Sequence, residues 1–206
     1  MAKTKRKSKK RIKKAPFVIL FLLLAIVIVI YKQDFFLGKV SEISPNMFTY
    51  PTKYEEYVLK YSEEYDFDPR FVFAIIHTES HFDPNATSEV GARGLMQLME
   101  DAYNWVKFRL DDTREHTYDD MYDPELNIQY GTYMLKYLYD KYDSYELTAA
   151  AYHSGMGAVD GWISDGTVSP ENFELDDIPS DVTANYIYKV TKAYNKYKEK
   201  IEGGDL

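Results

Sequence analysis

The chain has 206 residues, which allows one domain of ordinary size and a tail but not two large domains. Apolar residues make up 45% and charged residues 28% of it, proportions that exclude a largely disordered or collagen-like chain. The absence of cysteine excludes disulfides, thiolate metal sites and cysteine nucleophiles, so any catalyst must be built from oxygen and nitrogen groups.

The charges are distributed unevenly along the chain. Residues 1–14 hold nine of the 25 Lys and Arg and no acid, which leaves 16 basic against 33 acidic residues and a net charge of −17 for the remainder. A domain this acidic repels polyanions, which disfavours nucleic acid as a partner. Neutral or cationic partners are favoured instead.

A membrane-targeting pattern follows the basic tail. Residues 17–30 are all apolar, a run of 14, which lies between the core of a signal peptide and the roughly 20 residues of a spanning helix. The residues after it lack the small-residue pair that a signal peptidase needs, and Tyr31 and Lys32 suit a membrane interface. We predict a cytoplasmic tail over 1–14 and an uncleaved transmembrane signal-anchor over 15–32 in the plasma membrane. A cleaved secretory signal and a nucleic-acid-binding tail are the alternatives.

The basic tail also predicts the topology, because positive charge before a span keeps the N-terminus in the cytoplasm. The rest of the chain then faces the outside. A stalk is predicted over 33–51, where Gly38, Pro45 and Pro51 interrupt a mixed pattern. A single domain is predicted over 52–203.

Helical spacing dominates this domain. Asp68-Pro69 and Asp123-Pro124 each supply an N-cap and a proline at the first helical position. Ser144 can cap a short apolar helix over 147–152 that Gly155 and Gly157 end. Further helices are predicted over about 54–65 and 181–200, and loops over 111–122 and 164–180.

The predicted fold class is mainly α. No sustained period-two alternation, internal repeat or Gly-rich phosphate loop is present. Apolar stripes mark the helix after Asp68 and the helix after Asp123; the second stripe comprises Leu126, Tyr130, Met134, Leu138 and Tyr142.

Glu79 is the candidate catalytic residue, because it extends the apolar face formed by Phe71 and Ile75 at four-residue spacing. Partial burial would raise its pKa, so that the acid could hold a proton near neutral pH and donate it to a leaving oxygen. The alternative is a last-turn glutamate that pairs with Arg93 or His81 or faces water.

His77 and His81 share one helix face and invite a zinc hypothesis. A zinc-protease helix places its glutamate directly after the first histidine, whereas Thr78 intervenes here and Glu79 lies near the opposite side. We therefore predict no metal site and interpret the histidines as a polar helix face.

Four ordered motifs extend this picture. The first runs from Glu79-Ser80 through a Pro-containing turn and Ser88 to Gly94-Leu95-Met96-Gln97. The others are Asn127-Ile128 with Gly131, the stretch 150–157 around Tyr152, and Ile178-Pro179 to Tyr186. At this spacing the chain resembles the soluble-lytic-transglycosylase (SLT) family of lysozyme-like bacterial wall enzymes over about 52–200.

The resemblance implies a lysozyme-like helical domain that cleaves peptidoglycan glycan strands without metal or cofactor. It implies Glu79 as sole catalytic acid and base, with substrate contacts from Ser88, Gln97, Met99, Tyr152, His153 and Tyr186. The contact residues also have structural interpretations: Met96, Leu98 and Met99 alternate as core residues do, Gln97 could lie on a helix surface, and Tyr152 is one of 20 tyrosines, most of which must serve packing.

Two positions depart from the family pattern. His153 stands where the family has asparagine, and Val182-Thr183 stands where it has Glu-Thr, so we do not carry the acidic role over.

The predicted reaction is lysis of the MurNAc–GlcNAc β-1,4 bond to a 1,6-anhydro sugar. The alternatives are a hydrolytic muramidase and a non-catalytic wall-binding module. An envelope machinery is a further possible partner.

Overall fold

The computed structural model describes the backbone of residues 50–202 and the side chains of residues 50–200. The predicted tail, the signal-anchor and all of the stalk except Tyr50 and Pro51 lie outside these residues. Over 50–202, no helix combines the length and the apolar character needed to cross a membrane.

Helices make up most of residues 50–202, and the mainly α prediction is confirmed for this part. No strand occurs there, and only isolated bridges join Thr87 to Arg93 and Arg93 to Leu98. The helices are α1 Glu55–Glu64, α2 Pro69–Ser80, α3 Glu100–Arg109, α4 Pro124–Tyr142, α5 Tyr145–Ser154, α6 Met156–Ser164 and α7 Asp181–Glu202.

All three predicted N-caps are confirmed. The Asp68 side chain accepts a hydrogen bond from the Arg70 backbone N–H, and Asp123 accepts one from Leu126. Ser144 accepts one from Leu147. Since each cap satisfies a backbone donor that a helix otherwise leaves unpaired, these residues fix where α2, α4 and α5 begin.

Several predicted boundaries and connections need correction. Helix α5 extends to Ser154, and only Gly155 ends it, because Gly157 lies inside α6. Helix α3 was not predicted, since its only buried residues are Tyr103 and Val106 and the pattern is weak. The predicted loops contain short 3₁₀ turns at Tyr118–Tyr122, Pro170–Asn172 and Leu175–Asp177.

Helix α2 is the centre of the larger of two hydrophobic clusters. Its residues 71–76 are all buried, and it packs against α7, which also packs against α5. The smaller cluster comprises Leu98, Tyr103, Val106, Met121, Leu126 and Tyr130. Met134 and Tyr152 pack against both clusters, so the side chains around Tyr152 lie where the two meet.

Candidate active site

Glu79 lies in the last turn of α2, where the chain reverses sharply. His81 and Phe82 follow with φ of 51° and 65°, in the left-handed region that ends helices. The Ser80 hydroxyl donates to the backbone oxygen of Leu95 at 2.7 Å, which ties this helix end to the segment 94–97. The end of α2 is therefore fixed against the opposite wall of the site.

The carboxyl group of Glu79 is held by one tyrosine from α7. The Tyr186 hydroxyl donates a hydrogen bond of 2.6 Å to Oε1, whereas Oε2 makes no hydrogen bond with residues 50–200. Burial raises the pKa of Glu79 to about 7, and the Tyr186 hydrogen bond opposes this shift by stabilising the charged form. The carboxyl group is thus divided between its acid and base forms near neutral pH.

Two adjacent residues at the end of α5 complete this cluster. The Tyr152 hydroxyl donates to the backbone oxygen of Met96 at 2.7 Å, and burial together with the nearby Glu79 charge raises the pKa of Tyr152. The His153 ring lies nearly parallel to the Tyr186 ring, with centroids 4.4 Å apart at 17°. Burial lowers the pKa of His153, which favours the neutral ring.

The opposite wall is an irregular hairpin over 86–98. Gln97 has a φ of 49°, and its side-chain nitrogen donates to the backbone oxygens of Ala86 and Gly94 at 3.0 and 2.9 Å. The Ser88 hydroxyl accepts a hydrogen bond from the Ala92 N–H and so closes a turn. Both predicted contact residues therefore shape the wall, and in Gln97 the amide oxygen is left for a ligand.

Asn127 organises this wall, although sequence reasoning gave it no site role. It is fully buried on α4, where Oδ1 accepts from the Met96 N–H and Nδ2 donates to the backbone oxygens of Arg93 and Met121. A Cβ on Gly94 would lie 2.1 Å from the Met121 oxygen, so only glycine fits there. The sequence signal that could have pointed to Asn127 is its position as a polar residue beside the apolar stripe of α4.

The structure brings some predicted site residues together and separates others. Glu79 and Tyr186 are in contact, His153 stacks on Tyr186, and Tyr152 lies close enough for its charge state to respond to Glu79. Met99 is 43% exposed just before α3 and makes no hydrogen bond to this cluster.

At the family's Glu-Thr position, Val182 is 68% exposed, and Thr183 shares a 2.7 Å hydrogen bond with Ser154. This position therefore links α7 to α5 through the Thr183 hydroxyl and carries no acidic side chain. The roles predicted for the individual site residues remain predictions.

The alternative partners considered for Glu79 do not engage it. Arg93 forms an ion pair with Asp119, and His81 forms no ion pair within residues 50–200. His77 is partly buried against Tyr50 and has an Nδ1 without a hydrogen-bond partner, while His81 is exposed. Over the described residues, no group of three or more His, Asp or Glu is placed to hold a metal ion.

Comparison with known proteins supplies independent information. A family model described as "Transglycosylase SLT domain" matches residues 56–172. A soluble lytic murein transglycosylase of Salmonella typhimurium is 33% identical over 159 residues, which cover 75% of this chain and 24% of the relative. A membrane-bound lytic murein transglycosylase C of Klebsiella pneumoniae is 29% identical over 171 residues, which cover 72% of this chain and 47% of the relative.

Solved structures show the same likeness. The 70 kDa soluble lytic transglycosylase of Escherichia coli matches with a TM-score of 0.68 and 26% identity, over 74% of this chain and 25% of that one. The predicted lysozyme-like helical fold is thereby confirmed for the described domain. This chain spans about a quarter of the length of the soluble relatives and about half that of the membrane-bound one.

Proposed function

The chain belongs to the transglycosylase SLT family, and on that premise we propose that it is a peptidoglycan lytic transglycosylase with Glu79 as its single acid and base. It cleaves the β-1,4 bond between MurNAc and GlcNAc and leaves a 1,6-anhydro end. The observation that carries the proposal is the buried Glu79 carboxyl group held by Tyr186, because burial raises its pKa to about 7, a value that suits both proton donation and proton removal.

In the first step, Glu79 donates its proton to the glycosidic oxygen as the bond to the anomeric carbon breaks. Oε2 is the atom that carries this proton, since Oε1 is occupied by the Tyr186 hydroxyl. A retaining glycosidase places a second carboxylate about 5 Å away as nucleophile. Here the substrate's own N-acetyl oxygen stabilises the positive anomeric carbon instead.

In the second step, the 6-hydroxyl of the same sugar attacks the anomeric carbon. The Glu79 carboxylate removes the proton of that hydroxyl and returns to its starting state, so no water is consumed and no metal or cofactor takes part. The product has two new ends, a free 4-hydroxyl on the leaving sugar and a 1,6-anhydro ring on the other.

The surrounding residues orient the substrate. Tyr186 holds the carboxyl group, and Tyr152 bounds the ring that reacts. Gln97 offers its amide oxygen to a sugar hydroxyl, because its nitrogen is engaged by the backbone. Ser88 and Met99 contact sugars farther along the glycan, and His153 contributes through its stack on the Tyr186 ring. Preorganised donors of this kind typically contribute a few kcal/mol each to transition-state binding.

The place of action follows from the predicted anchor. We assign the protein to the bacterial plasma membrane as a single-pass protein with its N-terminus inside and its catalytic domain facing the wall. One relative carries the name of a membrane-bound transglycosylase, which supports membrane association. A domain held at the membrane could also serve an envelope machinery that needs local wall openings.

Two other functions are compatible with the fold. A hydrolytic muramidase would use water in place of the 6-hydroxyl, and a wall-binding module would hold glycan without cutting it. The raised pKa of Glu79 favours an enzyme over the module, because a mere binding groove has no need of a buried acid.

The experiment is the release of soluble fragments from purified peptidoglycan by the full chain. Wild type should release fragments, and Glu79→Gln, which keeps the size of the side chain, should release none while still sedimenting with the insoluble wall. Equal release by both proteins would remove Glu79 from the chemistry. Co-sedimentation without release by wild type would favour the binding module.

A further inference from the structure

A second cavity lies between α2 and α7, apart from the cluster around Glu79. Its volume is about 260 Å³, and its lining includes His77 of α2, His81 just beyond the end of α2, and Lys189 and Lys192 of α7. Tyr50 forms a further wall, held in place because its backbone oxygen accepts a hydrogen bond from Lys200. None of the functions assigned above uses these residues.

The lining of this cavity is basic in a domain that is otherwise acidic. No Asp or Glu is among its lining residues, although acids outnumber bases 33 to 16 after residue 14. Neither Lys189 nor Lys192 forms an ion pair with residues 50–200, whereas several other lysines of the domain pair with acids. Four basic groups thus share one cavity without a protein counterion in the described part.

The two histidines lie side by side in this cavity. Their ring centroids are 5.2 Å apart, and the Nδ1 of His77 is buried without a hydrogen-bond partner. Burial and the charge of His81 both lower the pKa of His77. Burial thus favours the neutral His77 ring, and an anion in the cavity would compensate the repulsion between the two lysine ammonium groups.

We propose that this cavity binds a carboxylate of the short peptide attached to the glycan strand. The proposal rests on the proposed function, because a wall substrate carries such peptides. Two ammonium groups disfavour a metal cation at the same histidines, and the volume suits a chain end with one small side chain. Lys189 and Lys192 make charge-assisted hydrogen bonds to the carboxylate, and a histidine N–H adds another.

The cavity and Glu79 lie on different sides of α2. His77 precedes Glu79 by two residues on α2, which places it about 200° around the helix, and half the circumference of a helix 10–12 Å across is about 17 Å. An extended peptide of about four residues, together with the acyl group that joins it to the sugar, spans roughly 17 Å. A peptide on a sugar bound beside Glu79 can therefore pass around the end of α2 and place its terminal carboxylate in the cavity.

The test is a binding titration of the full chain with a free tetrapeptide of stem-peptide sequence, compared with the same peptide as its C-terminal amide. Lys189→Gln combined with Lys192→Gln should weaken binding of the acid by about tenfold or more and leave the amide's weak binding unchanged. Lys136→Gln combined with Lys141→Gln removes the same charge on α4, outside the cavity, and should leave binding unchanged.

Three results would overturn the proposal: no binding of the peptide acid, equal binding of acid and amide, or equal binding by the α7 double variant. Tighter binding of inorganic phosphate than of the peptide would assign the cavity to a phosphate-bearing polymer instead. Glu79→Gln should bind the peptide like wild type. The peptide titration therefore tests the cavity independently of the cleavage assay that tests Glu79.

Discussion

The Tyr186 hydroxyl reaches Oε1 of Glu79 at 2.6 Å across 107 residues of sequence. This one contact joins the end of α2 to the start of α7. It gives the carboxyl group a fixed orientation and leaves Oε2 for the substrate. It also limits how far burial raises the pKa of Glu79, because the donated hydrogen bond favours the charged carboxylate.

Removal of the Tyr186 hydroxyl should change the pH dependence of cleavage. Cleavage begins with protonated Glu79, so activity falls as pH rises through its pKa. In Tyr186→Phe the carboxylate loses its donor, the pKa of Glu79 rises above 7, and the high-pH limb should move to higher pH. Activity at the optimum should fall about tenfold to a hundredfold because the carboxyl group is no longer oriented.

The pH profile of kcat/KM measures this shift. Tyr188→Phe is the matched control, since Tyr188 lies on α7 but is 54% exposed, and its profile should match wild type. A Tyr186→Phe profile that kept the wild-type high-pH limb would contradict the assigned role of the hydroxyl.

The raised pKa of Glu79 should make the folded domain less stable as pH rises. Between about pH 4.5 and about pH 7, folded Glu79 keeps a proton that the unfolded chain has lost, so the free energy of unfolding decreases across this window. Glu79→Gln removes this dependence. At about pH 8 the variant should be more stable than wild type by up to about 3 kcal/mol.

Urea unfolding of both proteins at about pH 5 and about pH 8 checks this expectation. Other groups titrate alike in both proteins, so the difference between the two curves isolates Glu79. A Gln variant less stable than wild type at the higher pH would show that Glu79 is not held in a destabilising environment.

Asn127 should be required for the stability of the wall formed by residues 86–98. Asn127→Ala leaves the Met96 N–H and the Arg93 and Met121 oxygens buried without partners, which should cost about 3 kcal/mol of unfolding free energy. Gln129→Ala, on the same helix but nearer the surface, should cost about 0.5 kcal/mol. Equal losses in urea unfolding would refute the wall-organising role.

The His153 ring should act through its stack on Tyr186. His153→Ala removes an aromatic contact worth about 0.5–1.5 kcal/mol and should lower kcat/KM by about twofold to tenfold. His153→Phe keeps a ring in place and should retain most of the activity. If His153→Phe loses as much kcat/KM as His153→Ala, the imidazole nitrogens contact substrate instead.

Local signals in the sequence were sufficient for much of the fold. Asp68, Asp123 and Ser144 each act as N-caps through contacts within three residues, so the chain itself specifies these helix starts. The apolar spacing around Glu79 likewise predicted its partial burial. By contrast, α3 buries little surface, and its exposed Phe108 obscures the helical pattern.

Residue patterns in the sequence could not predict the long-range contacts. The Tyr186 hydroxyl bond to Glu79, the Asn127 bonds to the wall and the basic lining shared by α2 and α7 all join segments far apart in the chain. The resemblance to a family could suggest Tyr186 as a site residue. Only the fold reveals that Tyr186 contacts Glu79 and that the Gln97 nitrogen is already engaged.

The central claim is that Glu79 cleaves the glycan with the substrate's own hydroxyl and without water. The most direct measurement is the mass of the fragments released from purified peptidoglycan in water labelled with heavy oxygen. The account predicts fragments that lack one water relative to hydrolysed ones, contain no heavy oxygen, and are missing from the Glu79→Gln digest. Reducing ends that carry heavy oxygen would contradict it and identify a hydrolase.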